Sequence, residues 1–194
     1  MTRSSGLTSD DIETQRQYYQ SNPPSCLSEL NVKPADLSKV HFDGHGEALN
    51  SFWVLRCRCG SADFQATMYS GINDSWSKTE PVLVNPVSFA CVSCNNGAVI
   101  FDSKKHGYDI VATGDSYSLF GPDWSGAERV TYSCPNCQNT ALRYIARFEY
   151  PNDLYSDSFS DFRGTEQDLF SWISLIFLCP SCRSSSIFFD CECA

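Results

Sequence analysis

Cysteine is the residue type whose number and spacing in this sequence could do chemistry. The 194 residues include 11 cysteines, and eight of them form four close pairs. The pairs are CRC at 57–59, CVSC at 91–94, CPNC at 134–137 and CPSC at 179–182. One turn of backbone, here called a knuckle, can present two thiolates to a metal ion, so two knuckles brought face to face supply the four ligands of a tetrahedral site.

The order of the pairs along the chain divides these cysteines into two candidate ligand sets. The first set is Cys57, Cys59, Cys91 and Cys94, and the second is Cys134, Cys137, Cys179 and Cys182. Four soft thiolates favour zinc, so we expect two structural Zn²⁺ ions as cofactors. The CRC pair is one residue tighter than usual, and the residues after the first two knuckles, Gly60 and Asn-Asn-Gly at 95–97, accept the positive φ of a sharp turn.

A thioredoxin-like redox pair is the rival interpretation of CxxC, and it requires the motif to open a helix after a strand. Residues 140–150, which follow CPNC, mostly alternate in polarity and therefore predict a strand.

The N-terminal residues lack the apolar region of a signal peptide, and the longest apolar stretch, 170–178, is too short to span a bilayer. We therefore expect a cytoplasmic protein without membrane association, in which paired cysteines more often bind metal than form disulfides.

An internal repeat supports both ligand sets. The segment FACVSCNNGAVIFD at 89–102 aligns without a gap with FLCPSCRSSSIFFD at 177–190. Each half of the chain is predicted to run strand, knuckle, long strand, variable loop, strand, knuckle and strand. A repeat of this length indicates duplication of a small domain.

This pattern resembles the zinc ribbon, a small antiparallel fold in which two knuckles clamp one zinc, over residues 51–102 and 128–194. The chain is also similar to tandem zinc-ribbon proteins of bacteria through FDSKKHGYD, RFEYPNDL and the terminal ECA. The second resemblance implies no activity. Zinc ribbons serve transcription, RNA processing, protein contacts and structure, so the fold does not select a function.

The predicted fold is small and mostly β, with two tandem antiparallel zinc-ribbon-like sheets and a short helical N-terminal extension. The predicted domains are the extension at 1–50, ribbon 1 at 51–102, an inter-ribbon segment at 103–127 and ribbon 2 at 128–194. The extension holds one helix at Asp10–Gln20 and room for a second at Pro34–Val40. Since four short strands bury little apolar area, we expect metal binding rather than a large core to close each ribbon.

Several cysteines and histidines fall outside the ligand sets. We interpret the remaining cysteines as buried or free thiols, with the alternative that one of the last two replaces a ligand; they are Cys26, Cys191 and Cys193. The histidines are interpreted as loop or turn residues whose binding role stays open; they are His41, His45 and His106.

An acidic segment provides a candidate partner surface. Residues 153–168 carry five acidic side chains and one arginine, together with aromatic residues. Such a run is usually a solvated loop, but aromatic anchors among carboxylates suit a basic protein partner. The candidate partner-binding residues are Asp153, Tyr155, Asp157, Phe159, Asp161 and Phe162.

The charge ranks the possible functions. The 23 acidic and 14 basic residues give a net charge of −9, which disfavours nonspecific nucleic-acid binding. We therefore expect a non-catalytic, zinc-stabilised acidic module that binds a basic protein, as immunity proteins and antitoxins do. One alternative is a nucleic-acid-associated zinc ribbon that contacts phosphates through Arg56, Arg58, Arg143 and Arg147. The other is a thiol or zinc-dependent enzyme, which needs an open metal position or a low-pKa thiol.

Overall fold

The computed structural model describes residues 9–35, 49–73, 77–114, 128–151, 162 and 164–193. Helix α1 (Ser9–Ser21) covers the predicted N-terminal helix, and a 3₁₀ turn follows at Ser25–Leu27. The Tyr19 ring of α1 is buried and stacks on Tyr150 at 3.7 Å between centroids, which fixes this polar helix to the sheet behind it.

The described part of the chain forms nine strands and one further helix, α2 (Tyr108–Thr113). The strands are β1 (Asn31–Pro34), β2 (Leu49–Arg56), β3 (Phe64–Asn73), β4 (Ser77–Cys91), β5 (Gly97–Phe101), β6 (Glu128–Thr131), β7 (Arg143–Tyr150), β8 (Trp172–Leu178) and β9 (Ser185–Glu192). Pro34 ends β1, so the second predicted helix does not begin there, and residues 36–40 lie outside the described part. A second 3₁₀ turn covers Glu166–Asp168.

The strands form two sheets in which all neighbours are antiparallel. The five-stranded sheet has the order β1-β2-β7-β8-β9, and the four-stranded sheet has the order β5-β4-β3-β6. The structure therefore confirms the predicted fold class of a small, mostly β protein with two antiparallel sheets and a helical N-terminal extension.

The two halves of the chain exchange their first strands. Strand β2 precedes the first knuckle but pairs with β7 of the second half, and β6 precedes the third knuckle but pairs with β3 of the first half. Each sheet thus consists largely of one half and takes one strand from the other. The division of the sequence at 51–102 and 128–194 stays a prediction, and the sheets do not follow it.

A reciprocal pair of hydrogen bonds joins the halves at equivalent positions. The Phe64 N–H donates to the Leu142 carbonyl at 2.8 Å, and the Leu142 N–H donates to the Phe64 carbonyl at 2.9 Å. Both residues stand where the chain leaves a knuckle and enters the long strand of its half. The halves are therefore related by an approximate twofold arrangement centred on this bridge.

One aromatic core lies between the two sheets. Phe89 of the four-stranded sheet packs against Tyr144 of the five-stranded sheet at 4.2 Å between ring centroids, and Phe101 packs against Phe189 at 5.7 Å. These residues belong to a single buried cluster that extends through both sheets. Strand exchange thus merges the apolar faces of both halves into one core.

The described part of the inter-ribbon segment packs against the end of the chain. The Tyr108 N–H donates to the Phe170 carbonyl at 2.9 Å, and the Asp109 N–H donates to the Cys193 carbonyl at 3.0 Å. Gly107 at the start of α2 has a φ of +99°. A Cβ there would lie 2.6 Å from the Cβ of Cys193, so this close approach requires glycine.

Candidate metal centres

The structure brings the eight predicted ligands together as two clusters of four. Centre 1 contains the sulfurs of Cys57, Cys59, Cys91 and Cys94, and centre 2 contains those of Cys134, Cys137, Cys179 and Cys182. Within each centre all four Sγ atoms lie within 4.8 Å of one another. Each centre could therefore hold one metal ion.

The sulfur separations fit tetrahedral coordination. In centre 1 the Cys57–Cys94 and Cys59–Cys91 sulfurs are 3.5 and 3.6 Å apart. In centre 2 both closest pairs, Cys134–Cys182 and Cys137–Cys179, are 3.5 Å apart. A tetrahedron with metal–sulfur bonds of about 2.3 Å has sulfur–sulfur edges of about 3.8 Å, whereas a disulfide bond is about 2.05 Å long. The donor set and its spacing therefore fit a thiophilic cation and not a disulfide.

All four knuckles share one backbone design. The residue directly after the second cysteine of each pair has a positive φ and donates its N–H to the carbonyl of the first cysteine. These residues are Gly60, Asn95, Gln138 and Arg183. Gly60 and Asn95 were expected from their types, whereas Gln138 and Arg183 show that the turn imposes this conformation on residues that rarely adopt it.

Each centre joins a hairpin to a crossover between the sheets. The CVSC knuckle is the turn between β4 and β5, and the CRC knuckle connects β2 in one sheet to β3 in the other. Centre 2 repeats this arrangement, with its hairpin between β8 and β9 and its crossover between β6 and β7. A metal ion in either centre would thus link the two sheets as well as close a turn.

Hydrogen bonds prepare the sulfurs of centre 2 to carry negative charge. The Ser184 hydroxyl lies 3.2 Å from Cys134 Sγ and, with the backbone N–H groups of Asn136 and Cys137, lowers the pKa of Cys134 to about 6. The Asn139 N–H also lowers the pKa of Cys137, but hydrogen bonding to Cys179 and the other thiols outweighs it and raises that pKa to about 12. The raised pKa of Cys137 favours its protonated form, and a divalent cation would displace that proton on binding.

Ser184 is a site residue that the sequence analysis missed. Its hydroxyl also lies 3.0 Å from Cys182 Sγ, so it contacts two sulfurs of the centre from outside the ligand set. Such contacts orient metal ligands and tune their basicity. Its place two residues after the CPSC knuckle was the available signal.

The three cysteines outside the ligand sets lie in the core. Cys26, Cys191 and Cys193 are all buried and reduced, and none belongs to either four-sulfur cluster. Burial raises the pKa of the Cys26 thiol well above its usual range. A hydrogen bond to Cys191 and burial likewise raise the pKa of the Cys193 thiol, and the burial of all three residues supports their interpretation as core residues.

The other sequence candidates divide between described and undescribed residues. Asp153, Tyr155, Asp157, Phe159 and Asp161 lie outside the described residues, while Phe162 is half-buried. His41 and His45 also lie outside them. His106 is a turn residue whose Nδ1 accepts the Asp102 N–H at 3.0 Å.

Ion pairs engage three of the four arginines considered for phosphate contact. Arg147 is buried and pairs with Glu149 at 2.7 Å, and Arg143 pairs with Asp63 at 2.9 Å. Arg58 pairs with Glu29 at 3.5 Å. Carboxylates on the same surface reduce the attraction of these arginines for phosphate.

No family model matches the chain, and neither a curated protein nor a solved structure matches it. Among the described residues no helix combines the length and the apolar character needed to cross a lipid bilayer.

Proposed function

We propose that this protein is a zinc-stabilised, non-catalytic protein-binding module of the double zinc-ribbon type. The observation that carries the proposal is the completeness of both donor sets, each with four sulfurs at tetrahedral spacing. Zinc is the ion whose structural sites most often use four cysteines. Its role here is to stabilise the knuckle turns and to link one sheet to the other.

Complete donor sets support a structural rather than a catalytic role. A catalytic zinc keeps one position for water or substrate, whereas four thiolates fill the tetrahedron. The described cysteines outside the two centres are buried, and buried thiols are poor nucleophiles. The enzyme alternative therefore has less support than the binding module.

The net charge of −9 supports a basic protein as the partner. Two zinc ions bound by eight thiolates would make the total more negative. The carboxylates beside Arg58, Arg143 and Arg147 favour this partner over nucleic acid. Inhibition of a basic enzyme, in the manner of an immunity protein or antitoxin in the cytoplasm, is the most specific form of the proposal.

Affinity capture with the metal-loaded protein from its native cell extract tests this function. We expect the unmodified protein to retain a basic protein. The variant in which Asp153, Asp157 and Asp161 are changed to Asn should no longer retain it. The matched control changes three other acidic residues, Asp10→Asn, Glu13→Gln and Glu192→Gln, and should keep the partner. Equal loss of the partner from both variants would contradict the proposal. So would the absence of a protein partner together with salt-sensitive binding of this protein to DNA.

A further inference from the structure

A groove of about 550 Å³ opens beside metal centre 1. Its lining includes the centre's Cys59, three aliphatic side chains and two arginines. The side chains that matter here are Val54, Ile145 and Leu178 on the floor and Arg56 and Arg143 at the side. This volume lies within the range of about 300–1,000 Å³ that is typical of ligand sites.

Strand register places the two arginines side by side. Val54 of β2 faces Ile145 of β7 across the ladder. Arg56 and Arg143 each stand two residues further toward the knuckle, so they share the face of that pair. Leu178 of β8 lies opposite Arg143 on the other side. The groove is thus an aliphatic floor that ends at two neighbouring guanidinium groups.

The duplicated half provides an internal comparison for this groove. Thr131 faces Thr67 and Gln65 faces Ala90 in registers that match those around centre 1. The backbone positions of Val54, Ile145 and Leu178 are therefore taken at centre 2 by Thr131, Thr67 and Ala90.

In the same alignment Ser133 replaces Arg56 and Gln65 replaces Arg143. The fold tolerates small or polar residues at all five positions, so the architecture does not require the arginines and the aliphatic floor.

The charges in the groove favour an anionic group. Neighbouring like charges across strands destabilise a sheet. Asp63 accepts a hydrogen bond from Arg143 Nε at 2.9 Å, while the contact that Arg56 makes within the described part of the chain is a long one, 3.4 Å to the Gly60 carbonyl. Apart from the sulfurs of centre 1, two guanidinium groups and one carboxylate give the lining side chains an excess of positive charge within a protein whose net charge is −9.

We propose that this groove binds an extended peptide segment that carries a carboxylate beside an aliphatic side chain. Guanidinium groups form strong, directional hydrogen bonds with carboxylates. The aliphatic floor would bury the neighbouring side chain and exclude water from the ion pair. All residues that line this groove are described and none belongs to 153–161, so the site does not depend on the proposed basic partner.

Titration of the metal-loaded protein with a tripeptide, followed by NMR, tests the site. The probe is acetyl-Ala-Ala-Leu with a free carboxyl terminus, compared with the same tripeptide as its amide. We expect the acid to shift the amide resonances of Ser61 and Ser93 beside the groove, and the amide to bind about tenfold more weakly. Equal binding of both forms overturns the proposal, as does complete displacement of the acid by an equal concentration of inorganic phosphate.

Variants taken from the duplicated half separate ligand binding from a role at the metal. Arg56→Ser with Arg143→Gln installs the residue types of centre 2, and we expect about tenfold weaker tripeptide binding with unchanged metal content. The control Arg58→Ser removes a charge from the same knuckle and should leave tripeptide affinity unchanged. If the double variant loses metal while tripeptide affinity stays the same, the arginines serve to balance thiolate charge and the proposal is wrong.

Discussion

Cysteine sulfur atoms in this protein occupy two different environments. Eight lie in two clusters with separations of 3.5–3.6 Å between closest neighbours, and three lie in the apolar interior. The exposed Cys182 of centre 2 and the buried Cys191 illustrate the contrast, since they lie only nine positions apart in the same hairpin. Burial alone does not distinguish a candidate metal ligand from a core thiol here, whereas the spacing of the cysteine pairs along the sequence does.

Replacement of one cysteine from each environment tests this distinction. Cys182→Ser should reduce bound zinc from two equivalents to one, because three thiolates hold a structural zinc poorly. Cys191→Ser should keep both equivalents, with a modest loss of stability from a polar hydroxyl in the core. Metal analysis of the two purified variants measures this difference. A loss of zinc from the Cys191 variant would show that the ligand set is assigned incorrectly.

His106 gives the fold a pH dependence that is separate from the metal centres. Burial lowers the pKa of His106 and outweighs Asp102 and Asp168, which raise it, while Lys105 lowers it further. An unfolded histidine titrates near 6.5, so the unfolded chain takes up a proton first as the pH falls. The stabilisation from neutral His106 is therefore complete above about pH 6.5 and decreases as the pH falls below that value.

We expect the free energy of unfolding to fall more between about pH 8 and about pH 5.5 in the unmodified protein than in His106→Asn. Asparagine keeps an acceptor for the Asp102 N–H but does not titrate. Denaturant unfolding of both proteins at the two pH values measures the difference. Identical decreases would mean that His106 does not contribute to this dependence.

At the scale of elements, both chain crossovers between the sheets in the described part run through a knuckle. The paths from β2 to β3 and from β6 to β7 leave one sheet and enter the other, and the bridge between Phe64 and Leu142 joins the two paths. Helix α2 adds a third connection, since it follows β5 of one sheet and bonds to Cys193 at the end of the other. The sheets are therefore held together by chain crossovers as well as by side-chain packing.

The contact between α2 and the chain end yields a stability prediction. Gly107→Ala should destabilise the protein by about 2–4 kcal/mol, because it adds a side chain at positive φ and within 2.6 Å of the Cys193 Cβ. The matched control is Gly114→Ala at the other end of α2, where φ is +77° and the added Cβ meets nothing within 4 Å. Its expected cost is about 1–2 kcal/mol. Equal costs in thermal or denaturant unfolding would show that the close contact with Cys193 is unimportant.

For the whole molecule, strand exchange predicts cooperative unfolding. Neither sheet is complete without a strand from the other half, and one buried cluster spans both. Scanning calorimetry of the metal-loaded protein should therefore show one transition whose calorimetric and van't Hoff enthalpies agree. Two independent transitions would instead indicate that each half folds and melts as a separate ribbon.

Local patterns in the sequence predicted the two four-cysteine clusters, whereas the long-range strand pairing could not be predicted. Each ligand set lies within one half of the chain, so CxxC spacing and the repeat were sufficient to group Cys134 with Cys179. The partner of β2 could not be derived in this way, because its alternation of buried and half-buried residues would fit a neighbour in either sheet. The arginine groove depends on that same pairing, since Arg56 and Arg143 become neighbours only when β2 joins β7.

Quantitative metal analysis of the protein purified without added chelator tests the central claim most directly. We expect two equivalents of zinc per chain, released together with loss of the folded state when a chelator removes them. A folded protein that contains essentially no transition metal would contradict the account, because its knuckles would then be closed without the ion for which their thiols are arranged.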